Sequence, residues 1–499
     1  MEKIPPLGLK GYTIPMLEDS INALGFQIDK DAFGRPCFEL IQQFEPGTNV
    51  VFNTEADRII EVTILEKSIT FLVTKGNKKG LKIQVQKPQG KISKMGFKKI
   101  LYIFLCEYYE RSLNWGILTG IKPVKLAMDI LINANNREEG VAKFIDTYGT
   151  SKEKANLALE IAEIEKDFIY PVEQDKISVY VGIPICPSKC SYCSFVSTLA
   201  DAQGKKQLDY LNNLIIEIEK TKELIAQRNL VVDTLYIGGG TPSILKAEEL
   251  QRLFKSLEGN LIHPKLREFT FEAGRPDTIT KEKLKIIHDA GVHRICLNPQ
   301  SMNHKTLQDI NRKHSPEDIK RLYAMMRELG FKTINMDLIV GLDNESEEAL
   351  HHSLDEVLHL APENLTIHSL AIKKGAVMRE TQGTQVQQLY PDELYRRLEN
   401  KMRSFGYFPY YMYRQKYTQG NGENIGYTKA GHEGIYNILI MAEKQTILGI
   451  GAGSSGKIYH LKEDRFEKVF TVKDVKTYNE NFEEILNKKF KAYENLPQF

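Results

Sequence analysis

Between about residues 175 and 375 the chain alternates six apolar, strand-type segments with five segments of helical period. This rhythm limits the fold more than any other feature. The strand-type segments are ISVYVGI, DTLYIGG, EFTFEAG, HRICLNP, TINMDLIVGL and NLTIHSLAI. The helical ones are QLDYLNNLIIEIEKTKEL, KAEELQRLFKSL, TKEKLKIIHDAG, SPEDIKRLYAMMRELG and SEEALHHSLDEVLHLA. Strands separated by helices build a parallel sheet with right-handed crossovers. The strands read as continuous apolar runs, as strands covered on both faces do. The predicted fold is therefore α/β, an open doubly wound sheet or most of a barrel, with its site at the C-terminal strand ends. Three helices open with an N-capping residue: Thr280, Ser315 and Ser346. Ser315 with Asp318 comes close to a capping box. Gly291 and Gly330 stand where a C-terminal glycine is expected.

The flanks differ. Residues 1–172 read as an α+β extension: VVFN, IIEVTIL, ITFLV and LKIQVQ as strands, then FKKILYIFLCEYYERSL, KLAMDILINA and SKEKANLALEIAEIEKDF as helices. The core is placed at 173–375. Residues 376–499 read as a smaller, less regular C-terminal region, with a helix near PDELYRRLENKMRSFG, an aromatic FPYYMYRQKY and a Gly-rich LGIGAGSSGK.

Lys+Arg is 67 and Asp+Glu 65, a net charge of +2, which argues against a chain built to coat nucleic acid. No apolar run approaches the ~20 residues of a membrane-spanning helix. The N-terminus lacks a signal-peptide pattern, so the expectation is a cytoplasmic protein. Of six cysteines, Cys186, Cys190 and Cys193 fall close together. In a reducing compartment that clustering points to metal or redox chemistry rather than disulfides. Cys37, Cys106 and Cys296 sit in apolar contexts and read as core residues.

The three clustered thiols follow the first strand with spacing C-x3-C-x2-C. They can hold three irons of a [4Fe–4S] cluster and leave a fourth open to a reagent. A zinc knuckle is the alternative, but zinc favours four closed ligands and no His or Cys follows closely. The later strand ends carry Gly238-Gly239-Gly240-Thr241-Pro242, Glu272 in EAGRP, Gln300 in LNPQS and Asp337 in NMDLIVGL, with Arg312 in INRKHS beyond the fourth. A lone triple glycine is usually a turn, and a lone strand-end acid is usually in an ion pair. Several such elements in chain order form a more specific pattern.

This pattern resembles the radical S-adenosylmethionine superfamily. The resemblance implies a partial (β/α)6 barrel, a [4Fe–4S] cluster held by Cys186, Cys190 and Cys193, and S-adenosylmethionine cleaved to a 5′-deoxyadenosyl radical. It also implies cofactor contacts: Tyr180 and Tyr192 beside S-adenosylmethionine, Gly239, Gly240 and Thr241 on its amino acid end, and Glu272, Gln300, Arg312 and Asp337 around the rest. Ala371 matches a backbone contact. No side chain is assigned as catalytic.

YVGIPICPSKCSYCSF, TLYIGGGTPS, FEAGRPDT, GVHRICLNPQS and INMDLIVGL resemble the oxygen-independent coproporphyrinogen III oxidase-like family. WGILTGIKPVK and GYFPYYMYRQKYTQGNGENIGY resemble its long, HemZ-type coproporphyrinogen dehydrogenase branch. The implied function is an oxidoreductase of porphyrin and heme biosynthesis, with a tetrapyrrole substrate and an electron donor such as flavodoxin or ferredoxin. Two departures keep alternatives open. Phe195 stands where established oxidases carry a fourth cysteine, as in the family's haem chaperones, and Gly182 stands where many relatives have His. The chaperones' His-Asn-x-x-Tyr-Trp segment is incomplete here, as His432-Glu-Gly-Ile-Tyr436-Asn437. A haem chaperone, or a radical enzyme acting on another tetrapyrrole, are the competing readings.

Three further features are weighed. From Lys67 to Cys106 there are ten lysines and no acid, read as a solvated hairpin and helix face in preference to a polyanion site. Tyr407–Tyr417 reads as a core strand with Arg414 at an exposed edge, in preference to a tetrapyrrole platform. Trp115 reads as a packing anchor and His432 as a structural or exposed histidine.

Overall fold

The computed structural model describes residues 23–87, 89–120, 122–201, 203–371, 373, 375–378, 392–415, 422–497 and 499. The first residues of the chain and Tyr417 lie outside them. Two compact units, Met1–Thr119 and Gly120–Phe499, divide the chain.

In the first unit, β1 (Ala23–Gln27) pairs in parallel with β2 (Asn49–Phe52) and β3 (Arg58–Ile64). The strands β4 (Ser68–Lys75) and β5 (Lys82–Gln86) continue the sheet antiparallel, in the order β2-β1-β3-β4-β5. Ile60, Ile69, Phe71 and Val73 are buried under helices α1 (Lys30–Phe44) and α2 (Lys94–Tyr109), with Phe71 stacked on Phe104 at 4.7 Å. Helix α1 has no counterpart in the sequence reading, because Gly34 and Pro36 interrupt its pattern; burial of Cys37, Leu40, Ile41 and Phe44 sustains it. Trp115 is buried, as expected of a packing anchor. Several lysines of the basic stretch have partners: Lys75 with Glu55 at 3.4 Å, Lys98 with Glu39 at 3.2 Å, and Lys78 with Glu110.

The second unit begins with α3 (Pro123–Leu131), α4 (Arg137–Tyr148) and α5 (Lys152–Ile169). Six parallel strands follow in spatial order: β6 (Lys176–Ile183), β9 (Val231–Gly239), β10 (Glu268–Gly274), β11 (Arg294–Leu297), β12 (Thr333–Val340) and β13 (Asn364–Ser369). Between β6 and β9 lies a two-stranded ribbon of β7 (Ile185–Cys186) and β8 (Thr198–Leu199). The crossover helices are α6 (Lys205–Gln227), α7 (Ala247–Leu257), α8 (Lys281–Asp289), α9 (His304–Asp309), α10 (Pro316–Glu328) and α11 (Glu347–Leu360). Thr280, Ser315 and Ser346 cap α8, α10 and α11, and Ser315 with Asp318 forms the full box. This is the expected partial (β/α)6 barrel.

Within this unit, elements from either side of the barrel join it. Helix α5 packs on β14 (Phe408–Arg414), and its Lys154 forms a buried ion pair with Glu423 of β15 (Glu423–Thr428). The strands β15 and β14 add antiparallel beyond β13. The Gly-rich segment forms β16 (Thr446–Ile450), parallel to β6, and turns into β17 (Gly456–His460) and β18 (Arg465–Val469). Arg414 is buried, not exposed at an edge as the sequence suggested, because the Glu423 carboxylate and α5 cover it.

One expectation is corrected. The barrel strands are not uniformly apolar; they alternate. Outward positions such as Val179, Leu235, Phe271, Ile295, Leu338 and Ile367 are buried and apolar. The register places the intervening residues on the opposite face, toward the lumen: Ser178 beside Thr234, Tyr180 beside Tyr236, Glu272 beside Cys296, Cys296 beside Asn335, Asp337 beside Thr366.

Candidate functional site

The lumen is floored by polar side chains that remain reachable. Tyr180, Tyr236, Glu272, Asp337 and His368 are each half-buried within otherwise buried strands, one per strand. Residues surrounded by protein yet partly accessible line a concavity. Tyr180 stacks on Tyr236 at 5.8 Å, and both rings lie against Tyr436, at 6.1 and 4.6 Å. Tyr436 comes from the helix Ile435–Ala442, whose first amides donate to Glu268 at the start of β10, at 2.7 and 3.2 Å. That C-terminal helix therefore enters the lumen from the N-terminal ends of the strands.

Two carboxylates face each other there. Glu272 Oε1 accepts from Tyr236 Oη at 2.6 Å, and Oε2 from the Gly239 amide at 3.1 Å. Burial pushes its carboxyl up to about 7, and the charge of Asp337 adds to this. Burial also acts on Asp337, but hydrogen bonds from His368, Asn335 and Thr366 outweigh it and hold the carboxyl below its ordinary range. Asn335 Nδ2 donates to one oxygen at 2.9 Å, and His368 Nε2 lies 3.8 Å from the other. Behind His368, Nδ1 lies 3.3 Å from both Asn424 Oδ1 and Tyr413 Oη.

The cysteine loop leaves the top of β6 and packs on the triple glycine. A Cβ on Gly240 would fall 2.8 Å from Cys186 Sγ and from the Ile185 backbone, so only glycine fits. Thr241 Oγ1 donates to Cys186 Sγ at 3.6 Å. Arg275 is buried; its guanidinium forks onto Asp277 at 3.0 Å and reaches Ser188 O at 3.1 Å and Cys190 Sγ at 3.8 Å. The loop is pinned further by Ser191 N to Ile310 O at 3.2 Å and Asn311 Nδ2 to Lys189 O at 2.8 Å. Burial raises the Cys193 thiol. Among the described residues, no three His, Cys, Asp or Glu side chains converge as around a single ion. Three thiols set along one loop, with Arg275 to offset thiolate charge, suit the separate irons of a polynuclear cluster.

The remaining expected residues sit round this core. Tyr192 packs on Leu307, Ile310, Ile339, Leu342, Leu370 and Met378. Gln300, at φ +68, donates its amide to Asp337 O at 2.9 Å. Arg312 donates to Asn298 O at 3.1 Å and lies beside Tyr192 and Cys190. Ala371 is buried just past β13. Among the described residues, Asn298 Oδ1, Gln300 Oε1, Arg312 Nε and Ser191 Oγ are buried without a partner. Native interiors seldom leave such atoms unpaired, so they mark where a bound group could supply partners. Phe195 is 77% exposed.

Sequence reasoning missed Tyr236, Arg275, His368 and Tyr436. The first and third are legible from strand alternation; Tyr436 stands at the Tyr of the incomplete His-Asn-x-x-Tyr-Trp segment, but nothing local places its ring in the lumen. Cys296, expected in the apolar core, is buried but faces the lumen beside Glu272. His432 is structural: Nδ1 lies 2.8 Å from Thr333 Oγ1 and its carbonyl accepts from Arg294 and Asn364.

Fold and site together define a radical S-adenosylmethionine protein, and the profile of the radical SAM superfamily matches residues 180–357. That superfamily uses a [4Fe–4S] cluster and S-adenosylmethionine. The chain is 35% identical over 489 residues to the oxygen-independent coproporphyrinogen-III oxidase-like protein HemZ of Bacillus subtilis (strain 168), covering 94% of this chain and 97% of that one. It belongs to the radical SAM coproporphyrinogen oxidase-like family. It is also 32% identical over 287 residues to the heme chaperone HemW of the same organism, 56% of this chain and 71% of that one. The solved structure of coproporphyrinogen III oxidase (HemN) from Escherichia coli matches at a TM-score of 0.48 and 22% identity, over 65% of this chain and 73% of that one. No helix among the described residues is long and apolar enough to cross a membrane.

Proposed function

We propose that this protein converts two propionates of coproporphyrinogen III to vinyls without oxygen, yielding protoporphyrinogen IX. The observation that carries this reading is the near full-length similarity to the oxidase-like HemZ protein, which spans both flanks as well as the barrel. Each propionate loses a hydrogen atom from the carbon β to the carboxylate, then CO2, with the one remaining electron passing to an external one-electron acceptor. When bound, the cluster and S-adenosylmethionine supply the 5′-deoxyadenosyl radical that takes the hydrogen. Cys186, Cys190 and Cys193 hold the cluster, and Arg275 fixes the loop between the first two. Tyr180, Tyr192, Gly239, Gly240, Thr241, Glu272, Gln300, Arg312, Asp337 and Ala371 bind S-adenosylmethionine. Glu272, with no cationic partner among the described residues, presents its carboxylate to a cationic ligand.

A second reading, a haem chaperone that keeps the cluster without oxidase activity, is favoured by one residue. Phe195 occupies the position of the oxidases' fourth cysteine.

The test uses protein with an anaerobically reconstituted cluster, given S-adenosylmethionine, a reductant and coproporphyrinogen III, with tetrapyrrole masses followed. Stepwise loss of two carboxyl groups, abolished in Cys190→Ala, is the expected result. Formation of 5′-deoxyadenosine with unchanged porphyrinogen would point to another tetrapyrrole. An intact cluster with neither product, together with tight haem binding, would establish the chaperone.

A further inference from the structure

We infer that Tyr236 is a positioning residue for S-adenosylmethionine: it orients the Glu272 carboxylate toward the ligand, with Tyr436 of the C-terminal helix packed behind it. The inference rests on the assignment of Glu272 to S-adenosylmethionine and names what makes that contact work.

Three observations converge. Tyr236 Oη donates to Glu272 Oε1 at 2.6 Å while the Gly239 amide takes Oε2, so each carboxylate oxygen has one fixed donor. A carboxylate carries about four lone-pair sites, so accepting capacity remains for a ligand. The carboxylate also lies so close to β9 that a Cβ on Gly238 would stand 2.8 Å from its Oε2, which leaves Glu272 little freedom to turn. Tyr236 has little room to swing, because its ring packs against both Tyr180 and Tyr436, which also touch each other. Tyr436 lies outside the stretch that the superfamily profile matches, so the C-terminal region reaches the ligand site through this ring.

Among the described residues, the groups facing Glu272 are Tyr180 from β6, Tyr236 from β9, Cys296 from β11, Asp337 from β12 and Tyr436 from the C-terminal helix. None of these brings a positive charge. The two donors therefore stabilise the ionised carboxylate, and burial and Asp337 oppose it. Removing the Tyr236 hydroxyl raises the pH at which Glu272 gains its charge.

The experiment measures equilibrium binding of S-adenosylmethionine to cluster-reconstituted protein from pH 6 to 9. It compares wild type, Tyr236→Phe, Glu272→Gln and the double variant. The Phe ring keeps the stack, and the visible absorbance of the cluster reports an intact fold. Tyr236→Phe is expected to bind roughly tenfold more weakly near neutral pH, the usual effect of losing a hydrogen bond to a charged group. Its binding midpoint should also move to higher pH. In the Glu272→Gln background, Tyr236→Phe should add little, as coupled residues behave. Wild-type affinity and midpoint in Tyr236→Phe, or an undiminished loss in the Gln background, would overturn the positioning role while leaving Glu272 assigned. Unchanged binding by Glu272→Gln would overturn the assignment and the inference together.

Discussion

Two glutamates, one in each compact unit, respond to burial in opposite ways. Burial pushes Glu39 of α1 upward, yet hydrogen bonds and charge from Arg35, Lys98 and Thr119 outweigh it and bring the carboxyl down to about 2. Glu272 in the barrel is more deeply buried, has a phenol and an amide for partners, and rises to about 7. The first is a completed ion pair. The second is a carboxylate that has no counter-charge among the described residues, the arrangement expected where a ligand brings the cation. Location alone does not set the difference. Glu217, deep in the same unit as Glu272, is completed by Lys489, by Tyr478 Oη at 2.5 Å and by the Gly451 amide at 3.0 Å.

The largest effect should come from breaking that completed pair. Lys489→Ala leaves Glu217 buried without its cation and is expected to cost about 3–5 kcal/mol, read from thermal unfolding. A loss below about 1 kcal/mol would show that the hydroxyl and amide suffice, and would blur the contrast with Glu272. Glu272→Gln should act with the opposite sign. A carboxyl raised in the fold destabilises it once the unfolded chain ionises, so the apo variant should gain about 1–2 kcal/mol at pH 8. That gain should shrink between about pH 7 and the ordinary glutamate value of about 4.3, and vanish below it. No gain at pH 8 would mean the lumen does not penalise the charge. Glu39→Gln should have the smallest effect, a loss of about 1 kcal/mol at pH 7. Because Glu39 is lowered in the fold, its contribution is present above the ordinary value and disappears as the pH falls toward about 2. Thermal unfolding in buffers spanning that range checks the window.

Much of the barrel was legible. The alternation of strand and helix, the caps at Thr280, Ser315 and Ser346, and the spacing of Cys186, Cys190 and Cys193 are short-range features, and each appears where the pattern places it. The interior was written in the same strands but passed over. In S-V-Y-V-G, T-L-Y-I-G, F-T-F-E and N-M-D-L every second residue is polar or small, and that period separates a polar lumen from an apolar outer face. Reading these runs as apolar throughout hid Tyr236 and His368.

What lay beyond local pattern is of another kind. Tyr436 follows Tyr236 by two hundred residues, Glu423 meets Lys154 across the unit, and β16 pairs with β6. No periodicity within a segment encodes such partners.

By itself, then, the sequence determined the barrel's strands and helices, the thiol loop and the polar face of each strand, because backbone preference and side-chain period act over a few residues. Only the tertiary structure decided which carboxylate is completed and which is left open. The charge state of Glu272 depends on what Tyr236, Asp337, Cys296 and Tyr436 bring to one point in a low-dielectric lumen, and that sum exists only once separate elements are packed together.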